Sequence, residues 1–151
     1  MLRVEVQAKT AGAPPAARVR GLLSRAARAA KTPSTEISVL FCADHRMRAL
    51  NRRYRGKDRS TDVLAFPAGD TAERFLGDIV ISVPYAVREA RRRREPHARE
   101  IDRLLVHGLL HLMGYDHETD DGEMDALEAR VRSRLGLADR AAAPAPARRS
   151  R

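Results

Sequence analysis

The chain is constrained most by one stretch, residues 101–117, which reads IDRLLVHGLLHLMGYDH. Apolar residues fill most positions of its first part, so this part predicts a helix that is buried nearly all round. Because an α-helix completes a turn in about 3.6 residues, His107 and His111 would project from one face, one turn apart. Any fold of this sequence must therefore bury a helix that carries two neighbouring imidazoles.

Gly114 and His117 extend this pattern to H-x-x-x-H-x-x-G-x-x-H. Glycine easily adopts the left-handed conformation that ends a helix, so Gly114 predicts that the chain turns back there. His117 could then return as a third ligand. Three imidazoles on a tetrahedral ion leave one position for water, which distinguishes catalytic from structural zinc. The spacing of His107, His111 and His117 therefore predicts a metal site, because three of the five histidines rarely fall into this pattern by chance.

Position 108 separates this pattern from that of the metalloproteases. In the H-E-x-x-H motif, the glutamate after the first histidine is the general base. Gly108 stands at that position in this sequence. Peptide hydrolysis is therefore disfavoured, but a base from elsewhere in the chain would restore it. A metal-dependent peptidase or other hydrolase stays an alternative.

Composition favours one globular domain. The 151 residues are 43% hydrophobic and 32% charged, and a net charge of +9 indicates a polyanionic partner. Aromatic residues make up only 4%, which argues against base stacking on an aromatic platform. The sequence shows no signal core and no run near the roughly 18 apolar residues of a membrane span, so we expect a cytoplasmic protein without a membrane partner.

The remaining pattern predicts four strands and four further helices. Asp44 is expected to cap the second helix and Thr119 the last one. Gly77 lies inside a strand, which predicts a bulge or a close approach by another group. Residues 1–137 would form the single domain, and residues 138–151 a disordered basic tail of Ala, Pro and Arg. The strands fall near 2–6, 36–43, 63–66 and 74–83, and the helices near 14–30, 45–54, 84–94 and 119–135.

A second informative segment spans residues 51–67 and reads NRRYRGKDRSTDVLAFP. Its positive charges surround Gly56 and predict a basic loop before a short strand. Arginine donates two parallel hydrogen bonds from a planar group that stays charged, so it suits phosphate. Such a loop beside a metal would form a site for a phosphodiester. On composition alone, a solvated basic loop without a ligand is an equally good interpretation.

Together, the motifs HGLLHLMGYDH, NRRYRGKDRSTDVLAFP and GDIVIS closely resemble the YbeY family of bacterial endoribonucleases. The resemblance covers residues 36–135. It implies a single zincin-like α+β domain, in which a small mixed sheet of about four strands is packed by about five helices around the metal-binding helix. It also implies a zinc-dependent, single-strand-specific endoribonuclease that acts in 16S rRNA 3′-end maturation and ribosome quality control. RNA and the ribosome would be its partners.

Carried over to this sequence, the family's ligands for one Zn²⁺ fall on His107, His111 and His117, and its functional arginine falls on Arg55. Asp116 is the nearest acidic group in sequence, and it is a candidate for orienting a histidine or relaying a proton. The nucleophile stays open between a metal-activated water and the ribose 2′-hydroxyl. A non-catalytic ribosome-assembly module with structural zinc is a second alternative.

Overall fold

The structure, a computed structural model, describes residues 2–32, 35–69, 74–115 and 121–137. Within these ranges the chain forms four strands and five helices, which confirms the predicted α+β class. In chain order the elements are β1 (Arg3–Ala8), α1 (Ala16–Ala29), β2 (Glu36–Cys42), α2 (Asp44–Arg55), β3 (Val63–Pro67), β4 (Phe75–Ser82), α3 (Val83–Arg92), α4 (His97–Leu112) and α5 (Glu123–Arg134).

The described strands form one mixed sheet in the order β1-β2-β4-β3. Strands β1, β2 and β4 run parallel, and β3 pairs antiparallel with β4. Of the described strands, β3 is therefore the edge strand on the side of β4. This position matters because the predicted site residues approach β3.

Side chains of β4 alternate between two cores on opposite faces of the sheet. Ile79 and Ile81 belong to the main core, which α1, α4 and α5 cover. Val80 belongs to a smaller cluster with Met47 of α2 and with Cys42. Most side chains of α4 are buried in the main core, so its predicted central position is confirmed.

Two glycines allow other elements to approach β4 closely. A Cβ atom on Gly108 of α4 would lie 2.9 Å from Cγ2 of Ile79, which leaves no room for a side chain. Gly77 has a φ of +147°, and a Cβ atom there would collide with the carbonyl oxygen of Phe66 and lie 2.7 Å from Cδ2 of Leu112. The pairing of β2 with β4 shifts register at this point, so the predicted bulge and close approach are confirmed.

The predicted cap of α2 is wrong. Ala43 occupies the N-cap position without a side-chain hydrogen bond, and Asp44 is the first helical residue. Asp44 instead accepts hydrogen bonds from the hydroxyls of Ser60 and Ser82 and from the guanidinium of Arg88, at 2.7–2.9 Å. The Arg88 bond is the main reason that the pKa of Asp44 is lowered. The start of α2 is thereby fixed to the approach to β3 and to α3.

The last helix begins later than predicted. Gly122 is its N-cap and Glu123 its first residue, so Asp121 precedes the helix instead of lying in its first turn. Thr119, the expected cap, and residues 138–151, the expected tail, lie outside the described residues. In the part of the chain that the structure describes, no helix combines the length and the hydropathy that a membrane span requires.

Candidate metal centre

Helix α4 presents both of its predicted ligand histidines on one face. The ring centroids of His107 and His111 are 4.6 Å apart, and the ring planes meet at 66°. Both side chains are half-buried, whereas the residues between them are fully buried. The helix ends at Leu112, and Gly114 adopts a φ of +94°, as predicted. The helical repeat therefore brings two of the three predicted ligands together.

Two further predicted site residues, Asp116 and His117, follow this helix in the sequence. Asp116 and His117 lie outside the described residues, which reach Tyr115 and resume at Asp121. Within the described ranges, no group of three or more His, Cys, Asp or Glu side chains is arranged to hold a metal ion. The predicted set contains only two members in those ranges, so the third ligand stays a prediction.

Helix α5 adds a carboxylate that the sequence prediction missed. Oε1 of Glu128 lies 2.9 Å from Nδ1 of His107, and Glu128 is only 9% exposed. The other carboxylate oxygen, Oε2, lies 3.8 Å from Nε of Arg132. A buried carboxylate at one ring nitrogen fixes the orientation and tautomer of a histidine, which is how proteins commonly prepare a histidine to bind a metal. The geometry therefore fits a metal ligand at position 107.

The position of Glu128 on α5 is the signal that could have identified it. Met124, Leu127 and Val131 form the buried stripe of this helix, and Glu128 lies within the same stripe. A carboxylate in an apolar stripe requires a partner, because burying an unpaired charge is costly. The fold supplies His107 and Arg132 as partners.

Asp62 is a second acidic group close to the same histidine. It directly precedes β3, and its Oδ1 accepts a hydrogen bond from the backbone N–H of Val63 at 2.8 Å. Burial raises the pKa of Asp62, while the Val63 bond and the charge of His107 act in the opposite direction. Among the residues that the structure describes, Asp62 and Glu128 are thus acidic groups that act on His107, and neither is a sequence neighbour of the histidines.

Arg55 approaches β3 from the end of α2. Its Nη2 donates to the carbonyl oxygen of Ala65 at 3.5 Å, and its side chain is exposed. The side chains of Val63 and Ala65 pack against the core that contains α4, the helix of the two histidines. Helix α4, which carries the histidine pair, therefore packs against the same edge strand that Arg55 contacts.

The predicted basic loop is only partly a loop. Arg52, Arg53 and Arg55 occupy the last turn of α2, where positive charge interacts favourably with the negative end of the helix dipole. The loop begins at Gly56, whose φ of +68° closes the helix, and it carries Lys57 and Arg59. All of these basic side chains are exposed.

The described fold and its histidine pair define a class of protein: a small α+β domain with a candidate metal centre on its central helix, beside a basic sheet edge. A family model described as Endoribonuclease YbeY matches residues 5–136. The chain therefore belongs to the YbeY family, and the resemblance drawn from its motifs is confirmed.

Similar proteins agree with this assignment. Endoribonuclease YbeY from Anaeromyxobacter sp. (strain Fw109-5) is 50% identical over 106 residues, covering 68% of this chain and 55% of the relative. The Persephonella marina protein of the same name is 44% identical over 98 residues, covering 62% and 64%. The Chelativorans sp. (strain BNC1) protein is 42% identical over 133 residues, covering 80% and 82%. The chain thus spans less than two thirds of the length of the first two relatives.

A solved structure has a similar fold. The solution structure of TM1509 from Thermotoga maritima aligns with a TM-score of 0.58 and covers 90% of this chain and 92% of its own. The two sequences are 23% identical, so this likeness supports the fold alone.

Proposed function

We propose that the protein is a zinc-dependent endoribonuclease that cleaves single-stranded RNA in 16S rRNA 3′-end maturation and ribosome quality control. Relatives that are 42–50% identical bear the name Endoribonuclease YbeY, which supports the activity. The observation that carries the proposal is the pair of His107 and His111 on α4, with Glu128 held against His107.

One Zn²⁺ per chain is assigned to His107, His111 and His117. With Glu128 at Nδ1, the Nε2 atom of His107 is the nitrogen that would hold the ion. A zinc ion at such a site supplies Lewis acidity, which polarises a phosphoryl oxygen and lowers the pKa of water. Glu128 contributes by keeping His107 in one tautomer and one orientation, so that the ring need not reorganise.

Arg55 is assigned to the phosphate. Its guanidinium stays charged and can donate two hydrogen bonds to phosphate oxygens. The present bond to Ala65 is long, at 3.5 Å, so little is lost when the side chain turns to a ligand. There it would stabilise the negative charge that develops as the phosphodiester reacts. Arg55→Ala should therefore reduce cleavage more than binding.

Two acidic residues are candidates for accepting the proton of the nucleophile, which is either water or the ribose 2′-hydroxyl. Asp62 is within electrostatic range of His107, and Asp116 is next to His117 in the sequence. Comparing Asp62→Asn with Asp116→Asn in single-turnover cleavage would separate them, because only the group that transfers the proton should alter the pH profile of the rate.

The rRNA precursor and the ribosome are proposed as partners, in the cytoplasm where ribosomes mature. The net charge of +9 supports a polyanionic partner. Residues 1–137 are proposed to form the catalytic domain, with residues 138–151 as a basic tail.

A peptidase on the same scaffold is disfavoured by packing as well as by sequence. The metalloprotease base would have to stand at position 108, and Gly108 faces Ile79 with no space for a Cβ atom. A glutamate there could not be accommodated without moving α4 away from the sheet. Casein hydrolysis without RNA cleavage, abolished by chelation, would nevertheless favour that alternative.

The decisive experiment is RNA cleavage by the full chain reconstituted with Zn²⁺. We expect single-stranded RNA from the 16S 3′ region to be cleaved, duplex RNA to be spared, and a chelator to stop the reaction until Zn²⁺ is restored. His111→Ala should abolish cleavage and lower the zinc content. His97→Ala is the matched control, because His97 is an exposed histidine at the start of the same helix. Full cleavage by His111→Ala in a nuclease-free preparation would contradict the proposal and favour a non-catalytic ribosome-assembly module.

A further inference from the structure

Tyr54 is an unusual surface residue of this fold. Among the residues that the structure describes, it is the only large hydrophobic side chain that is exposed, at 57%. It lies in the last turn of α2, between Arg53 and Arg55. A single exposed aromatic residue is common on protein surfaces and does not by itself indicate a site. The contacts of Tyr54 are therefore the relevant evidence.

Two contacts hold the Tyr54 ring. Its centroid lies 5.3 Å from that of Phe66 on β3, in an edge-to-face arrangement at 63°. The guanidinium carbon of Arg53 lies 5.4 Å from the Tyr54 centroid. Phe66 is itself packed against the smaller core, so the pair is anchored to the sheet. Tyr54 therefore presents an aromatic surface to solvent in a fixed position.

The charge around this aromatic pair is positive. Arg48 pairs with Asp58, one of the two aspartates of segment 51–67, through two hydrogen bonds of 2.8 and 3.1 Å. The basic side chains of the segment outnumber its two aspartates, Asp58 and Asp62: Arg52, Arg53, Arg55, Lys57 and Arg59. An aromatic surface combined with arginines is the chemistry that binds single-stranded nucleic acid without sequence preference.

The aromatic pair is also next to the proposed phosphate contact. Arg55 reaches the carbonyl oxygen of Ala65, and Phe66 is the next residue of β3. A nucleotide whose phosphate met Arg55 would have its own base, or that of its neighbour, at Tyr54. A base in a duplex is stacked on both sides, so only an unpaired base could occupy this position.

We propose that Tyr54 and Arg53 form a stacking platform for one unpaired base of the RNA substrate. The base lies on the Tyr54 ring, and the Arg53 guanidinium moves to stack on the other side of the base. This inference rests on the proposed function and deepens it, because it explains how the site would select single strands. It departs from the expectation that the scarcity of aromatic residues had suggested, since two of the six Phe and Tyr side chains lie together here.

The test measures binding of the zinc-loaded full chain to a short, fluorescently labelled 2′-O-methyl RNA by anisotropy. Tyr54→Leu should weaken binding about ten-fold, within the range that base stacking on an aromatic residue gives in other proteins. Tyr54→Phe keeps the ring and should bind as the wild type does. Thermal unfolding would verify that each variant is folded, which is expected because Tyr54 is mostly exposed.

A second oligonucleotide series separates stacking from charge. Each probe has one abasic position and keeps every phosphate. The probe that lacks the stacked base should bind the wild type about as weakly as Tyr54→Leu binds the intact probe, and Tyr54→Leu should lose no further affinity. Tyr54→Leu should also keep the salt dependence of the wild type, whereas Arg55→Ala should flatten its slope by about 0.7 per phosphate contact.

Tyr85→Leu is the matched control. Arg88 lies over the Tyr85 ring at 5.2 Å, so the pair resembles Arg53 and Tyr54, but Arg88 is bound to Asp44 at the opposite end of α2. We expect Tyr85→Leu to bind RNA normally. If Tyr54→Leu loses affinity equally for intact and abasic probes, or loses none, the platform is refuted while the nuclease proposal stands. If the wild type neither binds nor cleaves RNA, both are refuted.

Discussion

Glu128 orients His107 through the 2.9 Å approach of its Oε1 to Nδ1 of the histidine. In Glu128→Gln the side chain keeps its size but loses the charge that stabilises a histidine bound to a cation. We expect zinc affinity to fall about 10- to 100-fold, with little change in fold. Competition with a chromophoric chelator would measure this change.

The control for this prediction is Glu123→Gln. Glu123 belongs to the same helix but is exposed in its first turn, so its variant should bind zinc normally. Unchanged zinc affinity in Glu128→Gln would show that the carboxylate serves only the packing of α5.

Single residues of the site were predictable to different degrees. His107 and His111 could be paired from the sequence because residues four apart share a helix face. Glu128 and Asp62 could not be paired with His107, because they come from α5 and from the approach to β3. Only the fold brings these distant segments together. Asp116, chosen for its nearness in sequence, and His117 stay predictions.

At the scale of elements, the packing of α4 on β4 depends on Gly108. A Cβ atom would lie 2.9–3.2 Å from three side-chain atoms of Ile79, a fully buried and stiff residue. Gly108→Ala should therefore lower the free energy of unfolding by about 1–3 kcal/mol, despite the better helix propensity of alanine. Urea denaturation would measure it.

Gly21→Ala in α1 is the matched control for this substitution. Gly21 is exposed inside a helix, and its Cβ atom would meet nothing within 4 Å. Alanine there should raise the free energy of unfolding by up to about 1 kcal/mol. Equal effects of the two substitutions would show that Ile79 can move aside at little cost.

A cluster of charges around Arg103 fixes the connection between α3 and α4 to helix α4. This buried guanidinium contacts both oxygens of Glu95, and Oε1 of Glu100 at 3.0 Å. The hydrogen bond from Arg103 is the main reason that the pKa of Glu95 is lowered. A lowered folded-state pKa stabilises the fold above the unfolded value of about 4.3, and this stabilisation is lost as the pH falls through the folded pKa.

Glu95→Gln should consequently cost about 1 kcal/mol of unfolding free energy near neutral pH. The cost should shrink below about pH 4.3, because the wild type then loses the same charge. Urea titrations of both proteins at several pH values would show the two curves converging in acid. A cost that stays constant with pH would show that the ionised form of Glu95 contributes nothing.

The sequence pattern located the helices and strands well, since each hydrophobic period is local. The prediction from the pattern was wrong where contacts with distant parts of the chain determine the local structure. Asp44 was expected to cap α2, but Ser60, Ser82 and Arg88 from later segments bind its carboxylate. The basic residues were expected in a loop, although three of them continue α2 until Gly56 ends it.

At the scale of the whole molecule, the C-terminal residues add charge beyond the described fold. Residues 138–151 contain four arginines and one aspartate, and Leu137, just before them, is buried in the main core. Truncation after Leu137 should therefore leave thermal unfolding unchanged. RNA binding should weaken at low salt, with a flatter dependence on salt, because fewer counterions are released.

A larger truncation, after Leu135, provides the comparison. It also removes Leu137, which is 6% exposed, and should destabilise the fold by about 1–3 kcal/mol. If the longer chain that ends at Leu137 also unfolds at a lower temperature, the proposed domain boundary at residue 137 is wrong.

The arrangement of the sheet was the least predictable feature. The order β1-β2-β4-β3 and the reversal of β3 follow from which apolar faces meet, not from any single strand. For this reason the sequence could name Arg55 and the histidines separately, but it could not show that Arg55 and helix α4 contact one strand.

The contact of His107 with Glu128 joins two helices that are distant in the chain. An ion that binds His107 in the orientation set by Glu128 also stabilises the packing of α5 against α4. Metal binding and the packing of α5 are therefore thermodynamically linked. If zinc binds as proposed, a shortage of zinc would do more than stop the proposed activity. It would loosen the carboxyl-terminal helix, expose hydrophobic surface to cellular proteases, and so make the lifetime of the protein a function of metal supply.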